Sequence, residues 1–252
     1  MKKTLVMVLN HNRKAYTDQL VESLRPYVGE EYDLGVMDNG STDPNEISEN
    51  TTHKTERNCY YGGALNLAYK LMLDSPEYGS LLFMNNDIIL HGHRFITRMR
   101  EIMDNENYSI LSPSVLQPEV TQCYWSQMHN WGSPHTRDVK WVDFMCPLIS
   151  RHVIEHIKEY DLDLIYGWGQ DVYTGLVAEE QGWKIGVTDN IPVIHMSAQT
   201  FKDGKSDITN SEYSTKASMG MFKYFEKINR LDDLNAYRTW GNTYIYKDLW
   251  IK

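Results

Sequence analysis

The chain has little with which to cross-link itself and no apolar run long enough to span a bilayer. Its three cysteines, Cys59, Cys123 and Cys146, are odd in number and widely spaced, which argues against both a disulfide framework and a zinc site. A transmembrane helix needs roughly 20 consecutive apolar residues, and no stretch approaches that. The start, MKKTLVMVLN, is apolar only from Leu5 to Leu9 before Asn10, His11 and Asn12 interrupt it, so it reads as a buried first strand and not as a leader. Positive charge is also in deficit. Lys and Arg number 25 against 34 Asp and Glu, a net charge of -9, which argues against broad capture of a nucleic-acid polymer. Neither a long linker nor an internal repeat is evident. These absences point to reduced thiols and a cytoplasmic location, with peripheral attachment at the inner face of a membrane and homo-oligomer formation both open.

What is present is enough for a core. Over 252 residues, 41% hydrophobic with 17 Tyr and 7 Trp, the chain suits one main α/β domain with a decorated C-terminal region. Strands are expected at Thr4–Leu9, Tyr32–Met37, Lys54–Glu56, Ser80–Met84, Ile110–Leu116, Trp141–Met145, Trp183–Val187 and Pro192–His195. Helices are expected around Tyr16–Leu24, after Gly62-Gly63, at Arg94–Met103, at Arg151–Glu159, from Asp171 toward Glu180, and across Glu212–Asn229. Gln117–Lys140, mixed in Pro, Gly, Asn and aromatics, reads as a specificity insertion facing substrate. Ser197–Asn210 reads as a polar loop, followed by an aromatic segment that either closes the site or forms an oligomer contact.

Four segments carry the polar chemistry: LGVMDNGSTD at Leu34–Asp43, NCYYGGALNLAY at Asn58–Tyr69, LLFMNNDI at Leu81–Ile88 and WGQD at Trp168–Asp171. Each follows or adjoins a predicted element, so their polar groups converge at one rim of a sheet. Asp38, with Asn39 beside it, can accept from a nucleotide base or ribose, or can simply form an Asx turn. Asn10, directly after the first strand, is a further donor-binding candidate. Gly62 and Gly63 permit close approach to a sugar or diphosphate, or make a sharp loop. Asn58, Asn66 and Asn86 offer amides to hydroxyls, with capping as the competing use. Asp87, just past a strand, suits Mg2+ or Mn2+, and His195, at the end of another, can complete the shell through a neutral imidazole. Asp171 can accept a proton from a hydroxyl, or cap a helix. Trp125, Trp131 and Trp168 offer flat faces for sugar C–H surfaces, or core filling.

In these segments the chain resembles glycosyltransferase family 2, particularly rhamnosyltransferase-like members, across Thr4–Met196. The later segments VDFMCPLISRHV, GWGQD and GWKIGV extend the resemblance. It implies a GT-A type fold: a mostly parallel, mixed central sheet with flanking helices, in a catalytic domain over 1–196 whose donor portion is about 1–116 and acceptor portion about 117–196, with 197–252 as a C-terminal loop and helical extension. By resemblance Asp38 is the base-reading carboxylate, Asn58 and Gly62-Gly63 form the sugar-nucleotide loop, Asp87 is the last acid of a DXD-like motif, His195 is metal-associated and Asp171 is the general base. Two departures stand out. Asn85-Asn86-Asp87 lacks the earlier acid, and Gln170 replaces a common Glu, changes that either weaken metal binding or alter acceptor hydrogen bonding while leaving Asp87 and Asp171 in place.

The implied reaction is inverting, Mn2+- or Mg2+-assisted transfer of a hexose or deoxyhexose from a UDP-, dTDP- or GDP-linked sugar to a hydroxyl of a saccharide or glycolipid. A binding protein without turnover and a nucleotidyltransferase are the competing classes.

Overall fold

The computed structural model describes residues 2–27, 32–116, 123, 125–196 and 204–244. Among these, nine strands form one sheet in the order β3-β2-β1-β4-β8-β6-β9-β5, with β7 paired to β9 off that path. The strands are β1 (Lys3–Asn10), β2 (Tyr32–Asp38), β3 (His53–Lys54), β4 (Tyr78–Asn85), β5 (Ile88–Leu90), β6 (Ile110–Val115), β7 (Arg137–Asp138), β8 (Leu148–Ser150) and β9 (Ile185–His195). The β3-β2-β1-β4 half is parallel and so is β6 with β9, whereas β8 joins the halves by antiparallel pairing to β4 and β6. The result is the expected mixed, largely parallel sheet flanked by helices.

Sequence explains the arrangement locally. Val6, Met7 and Val8 of β1 are all fully buried, as a central strand covered on both faces by helices requires. Helix α1 (Lys14–Leu24) buries Leu20, Val21 and Leu24 on one face, and α2 (Tyr60–Asp74) buries Ala64, Leu65, Ala68 and Met72. Helices α3 (Phe95–Glu106), α4 (Arg151–Ile157) and α5 (Gln170–Gln181) follow, then α6 (Asn210–Lys227) and α7 (Leu231–Thr243).

Several expectations need correction. Trp141–Met145 is not a strand, and the sheet resumes only at Leu148. The two strands expected before His195 are one continuous strand. Gly62 and Gly63 lie inside α2, not in a loop before it. The segment after Asn229 forms a further helix, α7. Residues 117–122 and 124 of the expected insertion, and 197–203 of the expected polar loop, fall outside the described residues.

Candidate active site

Parallel pairing brings the carboxyl ends of three strands together: Asn10 lies opposite Asp38, and Leu9 opposite Asn85. The other wall comes from the antiparallel β5–β9 pair, in which Ile88 faces His195. Helix α6 supplies the cover. It begins with a capping box, Thr209 with Glu212, and sends Asn210, Tyr213 and Ser214 over the strand ends. Two adjoining cavities result, of about 390 and 630 Å3, sharing Tyr61, Asn85, Trp168, His195, Asn210 and Tyr213 among their walls.

The smaller cavity is a ring of amides and imidazoles. Asn58 donates to Nε2 of His11 at 3.2 Å and to Asp207 at 3.2 Å, and its Oδ1 accepts from Tyr60 N–H and Asn39. Asn39 Oδ1 in turn accepts from the Cys59 amide at 2.9 Å. Asn86 lines the cavity while donating to Thr17 Oγ1 at 2.9 Å. Asp87 and His195 face each other here, Oδ1 to Nε2, at 3.2 Å. A carboxylate and an imidazole at that spacing are a fitting donor pair for a divalent cation, but they are only two donors. Among the described residues no cluster of three or more His, Cys, Asp or Glu gathers around a common point. The remaining positions of such an ion's shell would be filled from outside this pair.

Other predicted donor residues are present but turned inward. Asn10 is fully buried, donating to Asp38 Oδ1 and the Glu46 carbonyl at 3.0 Å each and accepting from Thr17 at 2.8 Å. Asp38 also accepts from the amide and hydroxyl of Ser41. Together they hold the turn after β2, and neither lines either of these two cavities. Gly62 and Gly63 serve packing: a Cβ on Gly62 would lie 2.4 Å from the Leu164 carbonyl oxygen, and its own N–H donates to Ile165 O at 2.8 Å. Asn66 clamps the Tyr160 backbone through both amide atoms, at 2.9 and 2.8 Å, away from either cavity.

The larger cavity holds carboxylates against aromatic walls. Asp171 stands in the first turn of α5, half-buried, with Oδ1 accepting from Val172 N–H at 2.8 Å. Burial, and after it the nearby Asp143, push its carboxyl up to about 7, outweighing the Val172 amide and then Arg238, which act downward. Asp143 lines the same cavity and is itself raised by burial, with His195 opposing. Tyr61 donates its hydroxyl to the Phe144 carbonyl and so pins the backbone next to Asp143. Trp125 meets Trp141 edge-on at 4.7 Å, and Trp168, 38% exposed, stands between the two cavities.

Two residues expected to face an acceptor do not. The Trp131 indole donates to Ser126 O at 3.0 Å, outside the cavities. Gln170 is fully buried beneath Gly62, a Cβ on which would lie 2.5 Å from its Nε2, and its amide lacks hydrogen-bond partners. Conversely, His11, Tyr61, Asp143, Tyr213 and Arg238 line the cavities without having been singled out. Asp143 sits in the quoted segment VDFMCPLISRHV, where an acid flanked by apolar residues was the available signal.

Residues 117–231 match a family described only as a protein of unknown function, DUF707. No curated protein matches the chain. Among solved structures, GalNAc-T7 with UDP, GalNAc and Mn2+ aligns at a TM-score of 0.61 and 10% identity, covering 94% of this chain and 58% of that one. The glucosyl-3-phosphoglycerate synthase of Mycobacterium tuberculosis, with Mn2+, UDP and glucosyl-3-phosphoglycerate, aligns at 0.57 and 14%, covering 90% and 80%. The mannosyltransferase PcManGT of Pyrobaculum calidifontis, with GDP-Man and Mn2+, aligns at 0.54 and 10%, covering 99% and 78%. At these identities the likeness concerns architecture: the chain has a GT-A type α/β fold.

Proposed function

We propose that the protein is an inverting glycosyltransferase that moves a hexose or deoxyhexose from a nucleoside-diphosphate sugar to a hydroxyl of a saccharide or glycolipid. The fold supports a sugar-nucleotide chemistry, and the quoted segments support the finer assignment to family 2 and its rhamnosyltransferase-like members. The observation that carries the reading is one carboxylate, Asp171, raised to about 7 in a cavity that adjoins the Asp87–His195 pair. A base near neutrality beside a site for an anionic leaving group is what this displacement requires.

In this reading the smaller cavity takes the donor. Asn39, Asn58 and Asn86 line it, with Asn10 and Asp38 holding the turn that positions Asn39. Asp87 and His195 would hold Mn2+ or Mg2+, which when bound offsets the charge of the departing diphosphate. The larger cavity takes the acceptor. Its hydroxyl oxygen attacks the anomeric carbon as the sugar–phosphate bond breaks, the hydroxyl proton passes to Asp171, and the nucleoside diphosphate leaves. Trp125 and Trp168 exclude water and support the sugar faces.

Asp171→Asn tests the role. Donor affinity should stay near wild type while product formation falls by roughly 10²–10⁴; unchanged turnover would remove Asp171 as the base. One observation favours a second reading, donor binding without turnover: among the described residues only Asp87 and His195 come together as a donor pair. A wild-type protein that binds donors and cleaves none would support it.

A further inference from the structure

Within the larger cavity, the transfer chemistry leaves one cation unused. Arg238, on α7, lines the cavity wall with Trp125, Asp143 and Asp171. Its Cζ lies 5.8 Å from the centroid of the Trp125 ring, and Nη1 reaches the Met221 sulfur at 3.5 Å, a weak acceptor. Among the described residues its guanidinium forms no ion pair, whereas Arg100, Arg137, Arg151 and Arg230 each hold a carboxylate. Asp171 shares the cavity yet makes no ion pair with it, and feels it less than it feels burial, Asp143 or the Val172 amide.

We propose that Arg238 is a specificity-determining residue of the acceptor cavity and that the acceptor is a hydroxyl compound bearing a carboxylate or phosphate group. The inference rests on the transferase reading of the same site. A guanidinium presents its N–H donors in a planar fork that matches anionic oxygens two at a time, and here one donor is spent on a thioether. The guanidinium lies over the Trp125 ring, and a sugar ring against the other aromatic walls would carry its anionic substituent to Arg238 while its hydroxyl lies at Asp171. The cavity's own acids do not occupy the guanidinium: among the described residues neither Asp143 nor Asp171 forms an ion pair with Arg238, and Asp171 Oδ1 accepts from the Val172 amide instead. A neutral acceptor would leave the half-buried cation without an anion.

The test is calorimetric titration of wild type, Arg238→Lys and Arg238→Gln with glucose, glucose 6-phosphate and glucuronate, and with the corresponding manno and galacto series. The expected result is that at least one anionic class binds about tenfold or more tightly than its neutral parent, about 1.4 kcal/mol. Arg238→Lys should keep part of that gap and Arg238→Gln should lose it, at wild-type melting temperature. A purely structural Arg238 would alter neutral and anionic ligands alike. Equal binding of neutral and anionic probes by wild type, or a gap that survives in Arg238→Gln, would overturn the proposal. The titrations need no turnover, so this outcome is separate from the fate of the transferase reading, which donor cleavage decides.

Discussion

Nε2 of His195 lies 3.2 Å from Oδ1 of Asp87, and the sheet enforces that approach. Ile88 pairs with His195 across the β5–β9 ladder, and the Met196 amide donates to the Asp87 carbonyl at 3.0 Å, so backbone bonds on both sides hold the two side chains together. Two side chains far apart in sequence become neighbours through a three-residue strand.

Removal of metal is the first consequence. Chelation should abolish donor cleavage and added Mn2+ should restore it. In Asp87→Ala no Mn2+ concentration should restore it, and in His195→Ala the Mn2+ needed for half-maximal turnover should rise by more than the roughly 10–100-fold that losing an outer-shell partner costs. Titration of initial rate against Mn2+ measures both.

Turnover should depend on pH through Asp171. Burial and Asp143 push its carboxyl up to about 7, and a general base works only when deprotonated, so kcat should climb through neutrality and level off above it. Asp143 is the second cause of that elevation, after burial. The midpoint should therefore move to lower pH in Asp143→Asn, as a pH–rate profile would show.

The same group makes a stability prediction of defined sign. With its folded value raised from 3.8 to about 7, the native state binds this proton more tightly than the unfolded chain does. Stability contributed by Asp171 is therefore present at low pH and declines as pH rises toward 7. Asp171→Asn has no such decline. Its melting temperature should exceed that of wild type at pH 8, and the difference should shrink toward pH 4.

Helix α6 should detach from the site if its seating is disturbed. A Cβ on Gly220 would lie 2.1 Å from the Asp163 carbonyl oxygen, a backbone atom that cannot swing aside. Lys223 and Lys227 tie the same helix to Asp163 and Asp161 at 2.6 and 2.7 Å, but these lysines are exposed and contribute little. Gly220→Ala should lower stability by about 1–3 kcal/mol in urea unfolding. It should also weaken ligand binding, since Tyr213 and Asn210 cover both cavities.

Much of the sheet was legible because its signal is local. The apolar run of β1, the turn residues after Met37 and the run into Asn85 each declare a strand and its end, and Asp87 lies just past one such end while His195 lies at another. What the sequence hid was long-range. Gly62-Gly63 looks like a phosphate loop until Leu164 and Ile165 pack against it. Trp141–Met145 is an apolar run broken only by Asp143, yet it forms no strand: Trp141 is buried and its indole donates to Tyr237 O of α7 at 3.0 Å. That misreading concealed Asp143. Arg238 was invisible for a related reason, since nothing near it in sequence shows that α7 returns to Trp125.

The central claim is tested most directly by mass spectrometry of the protein incubated with Mn2+ or Mg2+ and UDP-, dTDP- and GDP-linked sugars, following nucleoside diphosphate and sugar-bearing products. The account predicts metal-dependent diphosphate release from a particular donor, slow into water and faster when an acceptor is present. Tight donor binding with no release under any acceptor would contradict it and leave a sugar-nucleotide binding protein in its place.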